Sequence, residues 1–254
     1  DLFIQELCAD RAMDIQAGEP CTLFIDGEFW GFYFIREKQD TDYVESHYGI
    51  DKNNVTFIKN GELDDGSSAL DREYRDLLKW AATADMTNDS NYKKVCDSID
   101  IQSFIDMVTI ETYINNTDWA TDYMNNWISW RATTPDDTCD YSDGKWRYML
   151  YDLDFSADYF DDARTLAGFD TLNNMFTGSN PYNFVPMFYN LMNNKTFSKH
   201  FFESYTEIMR VNFAPYKVSK KLDEYVAKYK DVITDTNTRF GQEWVNTNNE
   251  NEIE

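Results

Sequence analysis

Basic side chains are scarce in this chain: 23 lysines and arginines stand against 46 aspartates and glutamates, a formal net charge of −23 over 254 residues. Binding to a phosphate backbone or an anionic lipid surface draws on clustered Lys and Arg, so neither nucleic acid nor membrane is expected as a partner. Imidazole is rarer still, with only His47 and His200, and the four cysteines Cys8, Cys21, Cys96 and Cys139 are scattered without a CxxC pair. That combination argues against a zinc site. It leaves open a Cys8–Cys21 disulfide in an exported protein or four free thiols. Glycine occurs ten times and proline five, and none of the glycines builds a phosphate-cradling loop of the Walker or kinase type. Gly27, Gly31 and Gly61 read as turn residues. No run approaches the roughly 20 apolar residues of a membrane span, and no signal peptide opens at Asp1.

What is present is apolar and aromatic: 42% of residues are hydrophobic and 17% aromatic, enough to bury a core in one large domain or two lobes. Residues 1–15 read as a helix, and residues 22–59 as a β-rich segment turning at Asp26-Gly27. Residues 70–84 carry an amphipathic stripe at Leu70, Tyr74, Leu77, Leu78 and Ala81. Residues 103–114 have apolar positions close to the helical period, with Ser103 as the candidate N-cap. Residues 127–130 and 146–151 are aromatic strands separated by turn material around Pro135 and Asp143-Gly144. Residues 168–186 are irregular and suit either a substrate-binding loop or a lid. The remainder is helical, with a polar tail after Trp244. The fold class expected from this order is α+β.

The most informative stretch runs NNTDWATDYMNNWISWRA and then GKWRYMLYDLDFSAD. Phosphoryl transfer from a nucleotide uses a carboxylate near the attacking hydroxyl, an oxygen ligand on the metal, and a carboxylate bridging metal to phosphates. Asp118, Asn126 and Asp152 supply these types in order. Asp118 falls on a loop beyond a buried helix, while Asn126 and Asp152 flank the aromatic hairpin at one end. The alternative is a capping asparagine among solvated aspartates. Asp154 faces away from Asp152 in an extended chain and joins it only if the chain turns there. Glu37, ending the strand FYFIRE, is a candidate partner for Lys59, orienting that lysine toward phosphate; an ordinary surface ion pair is the alternative.

These motifs resemble the CotH family of spore-coat protein kinases and their clostridial secreted and cellulosomal relatives. FIDGEFWGFYFIREKQDTDYVESHYG is similar to the family's opening hairpin, NVTFIKNG to the next strand, NTDW with NNWISWR to its catalytic loop, YDLD to its tryptophan-aspartate-x-aspartate metal motif, and NKTFSKHFFESYTEIM to its C-terminal helices. The resemblance implies an atypical protein-kinase-like fold transferring the γ-phosphate of ATP, with Mg2+ or Mn2+, to serine or threonine of a secreted or spore-coat protein. It makes Asp118 the catalytic aspartate, Asn126 a metal ligand and Asp152 the counterpart of the metal aspartate of ordinary kinases. The stretch ATDYM is longer than the family's spacing, so it is either an insertion or a sign that Asp122 is the true counterpart; the match of NTDW on both sides favours Asp118. Tyr151 stands where the family has tryptophan.

The same resemblance implies that the chain begins inside the family domain, without its N-terminal β portion. It reads as a single CotH kinase-like domain over 1–254, with 1–61 the remaining N-terminal lobe, 69–165 the catalytic core and 166–254 a helical C-terminal region. The acidity suits an extracellular, cell-surface or spore-coat setting and a basic, serine-rich protein substrate, or simply a solvated surface. Two other classes remain: a catalytically silent interaction domain, and a carboxylate-pair hydrolase acting on polysaccharide.

Overall fold

The computed structural model describes residues 1–120, 124–157 and 168–241. Among them, helices and antiparallel sheets are mixed, an α+β chain. In order these are α1 (Leu2–Leu7), β1 (Gly18–Ile25), β2 (Glu28–Arg36), α2 (Thr41–Tyr48), β3 (Val55–Lys59), β4 (Glu62–Asp65), α3 (Ser68–Ala81), α4 (Asp89–Ser98), α5 (Ile101–Tyr113), β5 (Trp127–Ala132), β6 (Arg147–Leu150), α6 (Val185–Leu191), α7 (Lys195–Val211) and α8 (Pro215–Phe240). Strands β1 and β2 form a hairpin of their own, and the other four make a sheet in the order β4-β3-β5-β6.

Both tight hairpins follow from turn chemistry. Asp26-Gly27 and Asn60-Gly61 have positive φ at both positions, 51° and 81°, then 52° and 74°. This is the type of two-residue turn whose twist matches antiparallel strands and which Asp-Gly and Asn-Gly favour. The longer hairpin β5–β6 is the one expected from its two aromatic runs, pairing Trp127 with Leu150 and Trp130 with Arg147.

Strands β3, β5 and β6 of the four-stranded sheet are buried on both faces, while the edge strand β4 is largely exposed. Ile58, Trp127, Tyr148 and Leu150 point into the large core that also contains α5. The alternate residues Val55, Phe57, Ile128, Trp130 and Met149 enter a smaller one under α2, as the two-residue period of a strand requires. The smaller core is pinned by Asp14, which accepts hydrogen bonds from the Trp130 indole at 2.6 Å and from the Tyr48 hydroxyl.

Two expectations for helices are corrected. The first helix ends at Leu7, because Asp14 is taken up as a parallel bridge to Met149 beside β6. Helix α5 starts at Ile101 with Asp100 as its N-cap, accepting from the Ser103 amide at 3.1 Å. Ser103 lies inside the helix instead, its hydroxyl accepting from the Tyr148 amide at 2.8 Å. Ten consecutive residues, Ser103 to Thr112, are buried, so α5 is a core helix covered nearly all round, although Ser103, Asp106, Thr109, Glu111 and Thr112 among them are polar. It packs against β6 and α7.

The irregular segment after residue 168 packs as a cover. Met175, Tyr182 and Phe184 are buried, and the Phe176 amide donates to the Ala120 carbonyl at 2.7 Å. The Phe184 ring meets Phe104, Trp119, Trp127 and Tyr148 at centroid distances of 5.8, 5.7, 5.6 and 6.3 Å. The cysteines are free: Cys8 is buried in the main core, its thiol pushed up to about 12 by burial, while Cys21 lies on β1. The polar tail after Trp244 lies outside the described residues.

Phe184→Ala should destabilise the protein by about 3–5 kcal/mol, because the cavity is walled by rings that cannot collapse inward. Urea unfolding of the variant measures this, and a loss under about 1 kcal/mol would show that the segment carrying Phe184 does not close the core.

Candidate active site

The sheet brings the ends of three strands together. Lys59 ends β3 opposite Ile128, the Asn60 amide donates to the Trp127 carbonyl at 3.0 Å, and Trp127 pairs with Leu150. Lys59, Asn126 and the pair Tyr151-Asp152 therefore share one end of the sheet. Asn126 and Asp152 both take left-handed backbone, φ 48° and 56°. Asn and Asp tolerate this better than other residues with a side chain. Such bends concentrate at functional sites, where surrounding structure holds them.

Asp118 reaches the same place from the other side of the core. It leaves α5 through a short loop, and its carboxylate accepts from the Asn126 amide at 3.0 Å and from the Asn125 amide at 3.3 Å. Below it, Asn116 is a junction. Its side-chain oxygen accepts from the Asp118 backbone amide at 3.0 Å, and its nitrogen donates to Glu111 Oε2 at 2.9 Å and to the Asp152 carbonyl at 3.4 Å. The backbones of the two loops are tied again where the Thr117 amide meets the Phe155 carbonyl at 2.9 Å. Three residues chosen from separate motifs, Asp118, Asn126 and Asp152, thus form one polar cluster. Asp122 lies outside the described residues.

Electrostatics agree with that convergence. Burial raises the Asp152 carboxyl above its usual range, the charges of Asp154 and Asp118 push the same way, and Arg36 opposes them. Asp154 therefore does act on Asp152, because the left-handed turn at Asp152 breaks the extended run that would have separated them. Its own side chain is half exposed. Glu111, with 1% of its surface exposed, is held well above the ordinary carboxylate range by burial; the Asn116 hydrogen bond opposes this and the Asp152 charge adds to it.

Lys59 and Glu37 are not brought together. Glu37 accepts from the Ala17 amide at 3.2 Å and faces His47 Nε2 at 2.6 Å. Asp40 caps α2 and turns that helix so that His47 returns to the end of β2. Lys59 sits on the other sheet, its ammonium over the Tyr151 ring at 4.1 Å. Among the described residues the two form no ion pair. The cation nearest in effect to Asp152 is Arg36, which sequence reasoning passed over, as it did Glu111 and Asn116. A signal existed for two of them: Glu111 interrupts an apolar stretch, and Asn116 directly precedes the TDW motif.

Among the described residues no three His, Cys, Asp or Glu side chains are arranged around a metal. The donor set nonetheless fits magnesium, which takes one or two protein oxygens and fills its octahedron with water and phosphate. With its amide nitrogen committed to Asp118, Asn126 has its oxygen left to serve as an acceptor. Mutually repelling carboxylates at Asp152 and Asp154 are what a cation would relieve.

A family model described as CotH kinase protein matches residues 1–254, the whole chain. No curated protein shows significant similarity to it.

Glu111 generates a pH test. Its folded-state pKa is raised, so its contribution is most favourable with the proton on. That contribution is intact below the unfolded value of about 4.3 and declines by up to about 1.4 kcal/mol per pH unit above it, until the folded pKa is reached. Glu111→Gln removes this slope. Unfolding curves collected from about pH 5 to about pH 7 should show wild type losing stability relative to the variant. Parallel profiles would mean that Glu111 keeps an ordinary pKa.

Proposed function

The chain belongs to the CotH family, and on that premise we propose that it is an ATP- and Mg2+-dependent protein kinase, Mn2+ serving as the alternative metal, that phosphorylates serine or threonine of a secreted or spore-coat protein. The observation that carries this reading is the hydrogen bond between Asp118 and Asn126, joined through Asn116 to Asp152. It gathers a carboxylate for the hydroxyl, an amide oxygen and a carboxylate for the metal at the mouth of one sheet.

In this reading the fixed Asp118 carboxylate orients the acceptor hydroxyl and takes its proton, and the amides of Asn125 and Asn126 hold it against rotation. Asp152 and Asn126 would hold the metal, and Asp154 would add negative charge beside Asp152. Bound there, the metal neutralises charge on the phosphates. Lys59, which lies over the Tyr151 ring and has no carboxylate partner among the described residues, is within the same strand-end cluster and is assigned to the phosphates; Arg36 is a second cation on that side. Glu37 is released from this role by its contact with His47.

A catalytically silent interaction domain is the second reading. It is favoured by one observation, the missing Lys59–Glu37 pair, since the kinase reaction requires a lysine in its working position. Mg2+ with ATP separates the two. At a hundred times Kd, the pair should stabilise an active-site-competent protein by about 2.7 kcal/mol. ATP and metal that raise Tm no more together than separately would favour the silent domain.

Asp152→Asn should weaken Mg2+-dependent nucleotide binding at least tenfold, about 1.4 kcal/mol. Calorimetry on the folded variant decides this, and unchanged affinity would remove Asp152 from the metal. Asp118→Ala should abolish transfer yet leave ATP affinity near wild type, because the group acts on the hydroxyl. A variant that transfers phosphate at the wild-type rate would reassign that role.

The acidity carries a further expectation for substrate. Basic serine peptides should have the higher kcat/KM at low salt through long-range attraction. The preference should fade as the Debye length falls from about 10 Å at 0.1 M to about 3 Å at 1 M salt. A preference that persists in high salt would indicate short-range recognition instead.

A further inference from the structure

Asn116 has no place in the chemistry just described, yet it is wholly buried and touches both halves of the site. Its amide spends one end on the Asp118 backbone N–H at 3.0 Å and the other on Glu111 Oε2 at 2.9 Å and the Asp152 carbonyl at 3.4 Å. Side-chain amides are fixed in orientation only when donor and acceptor ends meet opposite partners, and Asn116 has both. Glu111 is the anchor. It projects from the last turn of α5, the most buried helix of the chain, and so refers the position of Asn116 to the core rather than to either loop.

From this geometry we propose that Asn116, oriented by Glu111, is a positioning residue that sets the register between the Asp118 loop and the Asp152 turn. A buried donor–acceptor strap of this kind resists displacement because breaking it leaves polar groups unpaired in a site that water does not readily reach. Misplacing a reacting group by about 1 Å can cost about a hundredfold in rate. The strap thus acts on alignment of the hydroxyl-orienting carboxylate with the metal side, and much less on the affinity for nucleotide. Its catalytic consequence rests on the kinase reading; the strap itself does not.

The test therefore has two readouts. In Asn116→Ala, hydrogen exchange followed by NMR should show the Asp118 amide exchanging at least about tenfold faster, while amides in the middle of α5 keep their protection. Unchanged protection at Asp118 overturns the strap, whether or not the protein transfers phosphate. In the transfer assay the same variant should lose at least about tenfold in kcat with KM for ATP within about twofold. Wild-type kcat per folded molecule, or a loss confined to KM, overturns the positioning role.

Should Asn116→Ala fail to fold, reversal of the pair supplies the answer. Assayed at a pH where both carboxyl groups are ionised, Asn116→Asp alone sets two negative charges against each other and should be slow and less protected at Asp118 than wild type. Adding Glu111→Gln restores a donor facing an acceptor and keeps an acceptor for the Asp118 amide. The double variant should recover both Asp118 protection and most of the lost kcat, and no recovery in either overturns the proposal. A wild-type protein inactive with Mg2+ and ATP would sink the kinase reading alone, since exchange at Asp118 still decides the strap.

Discussion

Helix α5 buries ten residues in succession, and two of them, Asp106 and Glu111, bring carboxyl groups into that interior. Their hydrogen-bond partners locate the segments on either side of the helix. Asp106 accepts from the Ala12 amide and from Gln102, which fixes the chain after α1 on one side of the helix. Glu111 meets Asn116, which fixes the start of the Asp118 loop on the other. Because burial disfavours the charged form of a carboxyl, each must have its hydrogen-bond partners in place, and these partners locate the connecting segments. The aromatic sheet then only has to pack against a helix whose surroundings are already specified.

Much of this was legible in the sequence where the signal was local. The Asp26-Gly27 turn, the aromatic runs that became β5 and β6, and the stripe at Tyr74, Leu78 and Ala81 all depend on near neighbours, and each formed as its pattern required. Boundaries set by distant partners were less legible. Ser103 looked like a cap because serine often is one, but Asp100 was three residues away and Tyr148 claimed the serine hydroxyl. The first helix could not be bounded without knowing that Asp14 would join Met149.

The site divides in the same way. Asp118, Asn126 and Asp152 stood out through their motifs, and their gathering at one strand end followed from a correctly placed hairpin. The assignment of Glu37 to Lys59 did not survive, since it required two separate sheets to present side chains to each other, whereas the cap at Asp40 folds His47 back onto Glu37. Arg36 went unnoticed because its influence on Asp152 spans more than a hundred residues of chain. Long-range electrostatics leave no local trace.

Trp119 and Trp127 are each one residue from a member of the polar cluster, Asp118 and Asn126, and both indoles are fully buried. Their rings both lean on Phe184, at 5.7 and 5.6 Å. A shift of either loop must therefore change the surroundings of an indole within the core, altering emission and near-ultraviolet dichroism without any added label. The protein carries its own optical reporter, placed where loop movement is coupled to packing.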